Sequence, residues 1–89
     1  MVKFGYTILY VSNVTTSIAF YEKSFGFTRK FITPENDYGE LETGHTTISF
    51  ASKELANSNL KNGFIESNLL HKPFGTELGL VTENVQEIV

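Results

Sequence analysis

The chain has 89 residues, enough for one small domain but not for two independent cores. Hydrophobic residues make up 40% of it, and eight Phe and four Tyr supply aromatic surface, so a folded core is expected. The absence of Cys excludes disulfides and thiol nucleophiles and favours a cytoplasmic protein. A net charge of -3 argues against nucleic-acid binding, and no signal peptide or apolar run of ~20 residues indicates export or a membrane span.

A strand and an amphipathic helix are predicted at the start of the chain. Residues 4–11 alternate with hydrophobic side chains on both faces, which indicates an interior strand. Ser12 or Asn13 offers an N-cap, Gly26 offers a stop, and a helix is predicted over residues 14–25. Its apolar stripe consists of Val14, Ile18, Tyr21 and Phe25. Phe20 lies off this stripe, so either another element or a second subunit is expected to cover it.

Three more strands are predicted after the helix. Residues 27–33 and 38–43 form a hairpin across the turn at 34–37, and residues 46–51 form the next strand. The order β, α, β, β, β over about fifty residues is one complete supersecondary module of the α+β class.

The second half of the chain is less regular. Residues 52–75 are predicted to be a connector, with a short helical turn over 54–60. A strand over 77–82 and a helix beginning at 83 repeat the strand, cap and helix layout of the start of the chain. The predicted division is therefore a first module over 1–51, a connector over 52–75 and the beginning of a second module over 76–89.

Residues 6–27 resemble the opening of the glyoxalase, bleomycin-resistance and dioxygenase superfamily, the vicinal oxygen chelate proteins. Ser17, the pair Phe20-Tyr21 and the pair Gly26-Phe27 carry most of the match. The resemblance extends over residues 4–51 and resumes at 77–89. It implies paired βαβββ modules around a cleft, of which this chain holds the first and the start of the second. Because open sheet edges favour pairing with another chain, a homodimer or a domain-swapped dimer is expected.

The resemblance also implies where metal ligands would lie. Metal-dependent members carry His or carboxylate ligands at positions that correspond here to Tyr6, Ser49 and Glu77. Of these, Glu77 alone is a plausible ligand, and one carboxylate does not hold a catalytic ion. No cofactor and no catalytic residue are therefore expected, and the sequence leaves open whether the protein is an enzyme.

Other polar residues have ordinary structural explanations. His45 lies at a turn and His71 in the connector, where surface exposure is the expected state. Glu40 and Glu42 alternate on one strand, which is typical of the solvent face of a sheet rather than of acid–base catalysis. The glycines are scattered, so no phosphate-binding loop is predicted.

A ligand-binding cleft is predicted from the residues that share the inner face of the module. It comprises Tyr6, Ile8, Tyr10, Thr47, Ser49 and Glu77. Aromatic rings, hydroxyls and a carboxylate suit a planar or cationic organic molecule. The alternative for these side chains is a place in the core, which is favoured for Ile8 and left open for Tyr6 and Tyr10.

The leading hypothesis is a metal-free protein that binds a small, drug-like organic molecule, similar in mode to bleomycin-resistance proteins. A metal-dependent lyase or dioxygenase of glyoxalase type, with its site completed by other residues or a second subunit, is the alternative. A scaffold that binds no ligand is a third possibility.

Overall fold

The computed structural model describes residues 1–83 and shows an α+β fold with one four-stranded mixed sheet and two helices. The elements in chain order are β1 (Tyr6–Val11), α1 (Val14–Phe25), β2 (Thr28–Ile32), β3 (Tyr38–Glu42), β4 (Thr47–Ser52) and α2 (Lys53–Asn59). The predicted βαβββ order is confirmed. The helix predicted from residue 83 onward lies, beyond Glu83, outside the described residues.

The bounds of α1 follow from local signals at its two ends. The Asn13 side chain accepts a hydrogen bond from the Thr16 backbone N–H at 2.9 Å, which satisfies a helix-terminal donor. Gly26 adopts a left-handed conformation with φ 73°, which ends the helix at little cost because glycine has no Cβ. The predicted helix over 14–25 is thus confirmed to the residue.

The sheet has the strand order β1-β4-β3-β2, with β1 parallel to β4 and the other pairs antiparallel. This order makes β1 an edge strand, so the prediction of an interior strand is wrong for the residues described. Among residues 1–83 only β4 pairs with β1, and the hydrophobic side chains on one face of β1 are exposed. The hydrophobic pattern indicated cover on both faces, but the pattern of one strand does not specify which strands lie beside it.

The core lies between α1 and one face of the sheet. Its fully or nearly buried members are Val14, Ile18, Leu41, Ile48 and Phe50. Gly39 allows this close packing, because a Cβ at that position would overlap Cδ1 of Ile18 and approach the Phe31 carbonyl oxygen to 3.1 Å. Phe20 lies outside the core and is 57% exposed. Because the core lies on the α1 side, the opposite face of the sheet lies outside it.

After β4 the chain forms the predicted helical turn, as α2, and then loses regular structure. The strand predicted over 77–82 is not formed: these residues pair with no strand of the described chain. A strand requires a ladder partner, and Leu78 to Val81 instead border a cavity on the α1 side of the sheet, beside Thr7 and Ile48. The predicted boundaries at 52, 75 and 76 remain predictions. No helix in residues 1–83 is long and apolar enough to cross a membrane.

Candidate functional site

The face of the sheet opposite α1, here called the open face, carries a mixed aromatic and polar surface. Cα pairing aligns its residues in three rows, because Tyr6 lies beside Thr47, Ile8 beside Ser49 and Tyr10 beside Ala51. The rows continue across β4 onto β3, and the face comprises Tyr6, Ile8, Tyr10, Phe31, Tyr38, Glu40, Glu42, Thr47, Ser49 and Ala51. Five of the six predicted cleft residues therefore share one surface.

The β1 side chains on the open face are accessible rather than part of the core. Tyr6 is 61% exposed, Ile8 37% and Tyr10 36%. For Ile8 the predicted core position is wrong among the described residues, and for the two tyrosines the structure places both on the accessible face. β1 thus presents two phenol rings and an aliphatic side chain to the surroundings.

Part of the connector covers one end of the open face. The ring of Phe64 packs at a tilt against Tyr10, with 4.8 Å between ring centroids. Beside this pair lies a cavity of about 390 Å³, lined mainly by apolar side chains that include Ile8, Phe64 and Phe74. The size and the aromatic lining are those of a pocket for a small organic molecule.

A hydrogen-bonded cluster lies next to Tyr6 in the middle of the open face. The Tyr38 hydroxyl is 2.7 Å from Oε2 of Glu40 and 3.1 Å from Oγ of Ser49. A phenol has a single proton, and donation to the carboxylate gives the stronger, charge-assisted bond. The Ser49 hydroxyl then donates to the phenol oxygen. Ser49 is fully buried, so this bond satisfies a hydroxyl that water does not reach.

The environment keeps the Tyr38 phenol protonated. Burial raises the pKa of Tyr38 above its usual value of 10.0, the hydrogen bond from Ser49 opposes this change, and the hydrogen bond to Glu40 and its negative charge raise the pKa further. The nearby Tyr6 adds a smaller upward contribution. At neutral pH, Tyr38 is therefore a fixed hydrogen-bond donor that orients the Glu40 carboxylate.

A β-bulge in β2 brings a cation to the edge of the open face. The pairing of β2 with β3 shifts between Arg29 and Phe31, which leaves Lys30 as the extra residue. Nζ of Lys30 donates to Oγ1 of Thr47 at 2.9 Å and lies 3.6 Å from a Glu42 oxygen. Lys30 is therefore engaged at the Thr47 end of the face.

The other candidate residues lie elsewhere. Glu77 is exposed in the irregular segment, whereas the five other predicted cleft residues lie on β1 and β4. His45 and His71 are exposed, as expected. Glu42 is also exposed, whereas Glu40 is half-buried against Tyr38 and does not fit the interpretation of a solvated strand face.

The comparison with protein families agrees with this architecture. The model of the Glyoxalase/Bleomycin resistance protein/Dioxygenase superfamily matches residues 3–88. The chain belongs to this superfamily. A search of curated proteins found no match.

A site for a divalent metal ion requires several converging donors, and residues 1–83 do not supply them. Tyr6 and Ser49 carry a phenol and a hydroxyl, and the Ser49 hydroxyl is buried and bonded to Tyr38. Glu77 is exposed in the irregular segment and belongs to no strand of the described sheet. Within residues 1–83, no three His, Asp or Glu side chains are grouped so as to hold a metal ion. The donor set of the described chain thus does not fit a divalent cation.

Sequence reasoning did not assign Tyr38, Glu40, Lys30 or Phe64 to the site of this superfamily member. The position of Glu40 could have been predicted from the loop between β3 and β4. A turn over residues 43–46 pairs Glu42 with Thr47, and this register places Glu40 beside Ser49. The bulge at Lys30 and the return of Phe64 onto Tyr10 depend on tertiary packing and have no comparable local signal.

Proposed function

We propose that the protein binds a small organic molecule, aromatic or cationic, on the open face of its sheet, without a metal ion. The observation that carries the proposal is the accessibility of Tyr6 and Tyr10 on the open face, where the buried side-chain polar atoms of residues 1–83 already have hydrogen-bond partners. Exposed aromatic rings gain free energy when a planar molecule covers them. Membership of the superfamily supports a ligand-binding role in general but does not specify the ligand.

The geometry favours stacking over deep enclosure. Tyr6 and Ile8 lie on a sheet face, while Tyr10 and Phe64 border the cavity at its end. A flat ring system can cover the face while one edge enters that cavity. Such a ligand is expected to stabilise the folded chain, because it binds the native state and not the unfolded one.

The experiment is a binding titration with acridine and N-methylacridinium, planar ring systems of nearly equal size, followed by ligand fluorescence. Tyr6→Ala should weaken binding at least about fivefold, since one stacking partner is lost. Phe20→Ala is the matched control, because Phe20 is exposed to a similar extent but lies on α1. Equal weakening by both variants, or no binding of either probe to the native chain, would contradict the proposal.

We also propose a homodimer or a domain-swapped dimer, supported by the free outer edge of β1 in the described chain. Light scattering coupled to size-exclusion chromatography tests it. A mass of two chains at micromolar concentration is expected, and a single-chain mass over the whole accessible range would contradict it.

A further inference from the structure

Among residues 1–83, one carboxylate of the open face, that of Glu40, has no Lys, Arg or His within 4.0 Å. We infer that Glu40 is the charge-recognising residue of the ligand site proposed above, and that the ligand is a positively charged aromatic molecule whose cationic centre lies over Glu40. The inference rests on the proposed function and goes beyond it, because it fixes the sign of the ligand's charge. It also assigns to Glu40 the role that sequence reasoning gave to Glu77.

The charges of the open face leave Glu40 without a counter-ion. Lys30, the cation on this face, lies within ion-pair distance of Glu42. Arg29 pairs with Glu22 on the α1 side at 2.8 Å. No Lys, Arg or His in residues 1–83 lies within 4.0 Å of the Glu40 carboxylate, and Glu40 is half-buried on the open face beside Ser49.

Glu40 is held in place rather than mobile. Its carboxylate accepts a hydrogen bond from the Tyr38 hydroxyl, with 2.7 Å between the oxygens, and Tyr38 is itself held by the hydrogen bond with Ser49. A positioned carboxylate loses little side-chain entropy when it binds a cation. The hydrogen bond from a neutral phenol also leaves the full negative charge on the carboxylate.

Aromatic residues lie near the same carboxylate on the open face. Phe31 is the Cα partner of Glu40 on β2, and its ring lies 6.0 Å from the ring of Tyr38. Tyr6 is near enough to the Tyr38 phenol to affect its pKa. Aromatic faces around a carboxylate favour organic cations, which combine stacking, cation–π attraction and charge pairing, over small hydrated ions.

The test compares N-methylacridinium with acridine, which is uncharged at neutral pH, in calorimetric titrations of the native chain and of two variants. Glu40→Gln removes the charge and keeps an oxygen that accepts from Tyr38. Glu35→Gln is the matched control, the same change at an exposed carboxylate in the turn between β2 and β3, outside the open face. We expect the native chain to bind the cation about tenfold more tightly than acridine, since a part-exposed charge pair contributes modestly. Glu40→Gln should abolish that preference, and Glu35→Gln should keep it.

Each other outcome overturns the inference in a distinguishable way. Equal binding of both probes to the native chain refutes the cationic class while the proposed function stands, and this comparison depends on no variant. A preference lost equally in Glu35→Gln refutes the assignment to Glu40. If neither probe binds and Glu40→Gln changes the monomer–dimer equilibrium instead, the face is a contact between copies, and the proposed function fails as well. Circular dichroism checks that both variants fold.

Discussion

The hydrogen bond between Tyr38 and Ser49 can be tested by measuring stability. We expect Tyr38→Phe to lower the free energy of unfolding more than Ser49→Ala does. Ser49 is fully buried, and its hydroxyl forms a hydrogen bond with the Tyr38 hydroxyl. Tyr38→Phe leaves that hydroxyl without a partner away from water, which should lower the free energy of unfolding by about 2 kcal/mol. Ser49→Ala leaves Tyr38 bonded to Glu40 and should cost only about 1 kcal/mol.

The double variant separates this explanation from a general loss of packing. Once Ser49 has become Ala, no buried hydroxyl remains for Tyr38→Phe to leave unpaired. The double variant should therefore lose about 2 kcal/mol rather than the sum of about 3 kcal/mol, a coupling of roughly 1 kcal/mol. Urea unfolding followed by circular dichroism measures all four proteins. Additivity to within about 0.5 kcal/mol, or a larger cost for Ser49→Ala than for Tyr38→Phe, would refute the reasoning.

Three further predictions concern the packing of α1 on β3, the N-cap of α1 and the ionisation of Tyr38. Gly39→Ala places a methyl group against Ile18 and the Phe31 carbonyl and should cost about 1–3 kcal/mol in urea unfolding; unchanged stability would contradict the packing of α1 on β3. Asn13→Ala removes the N-cap of α1 and should lower the free energy of unfolding by about 1 kcal/mol, and the melting temperature by several degrees. Asn13→Ser keeps a capping oxygen and should largely preserve the stability of the native chain. Because the folded-state pKa of Tyr38 is raised, its contribution to stability is complete below pH 10.0 and is lost as pH rises through the folded value. The ultraviolet titration should therefore contain a component above pH 10.0 that Tyr38→Phe removes, and its persistence in that variant would contradict the assignment.

Features fixed by local sequence were predictable. Asn13 and Gly26 define α1 because a cap acts within one turn of the helix. The sharing of one face by Tyr6, Ile8 and Ser49 follows from the two-residue period of strands and from the superfamily resemblance, and the pairing of β1 with β4 agrees with it.

Features that depend on which elements meet were not predictable from local patterns. The hydrophobic pattern of β1 indicated an interior strand, but the neighbours of a strand are set by tertiary structure. Residues 77–82 have a strand-like sequence, yet they do not form a strand of the described sheet. Glu40 was assigned to solvent because its alternation with Glu42 shows that they share a face but not which face. The bonds of Tyr38 show that this face is the one that carries Ser49.

The central claim is that the open face of the sheet binds an organic ligand. Amide chemical-shift mapping of the isotope-labelled native chain, titrated with N-methylacridinium, tests it most directly. We expect the largest shifts on β1, β3 and β4, around Tyr6, Glu40 and Ser49. Shifts confined to α1 around Phe20, or none at saturating probe, would contradict it.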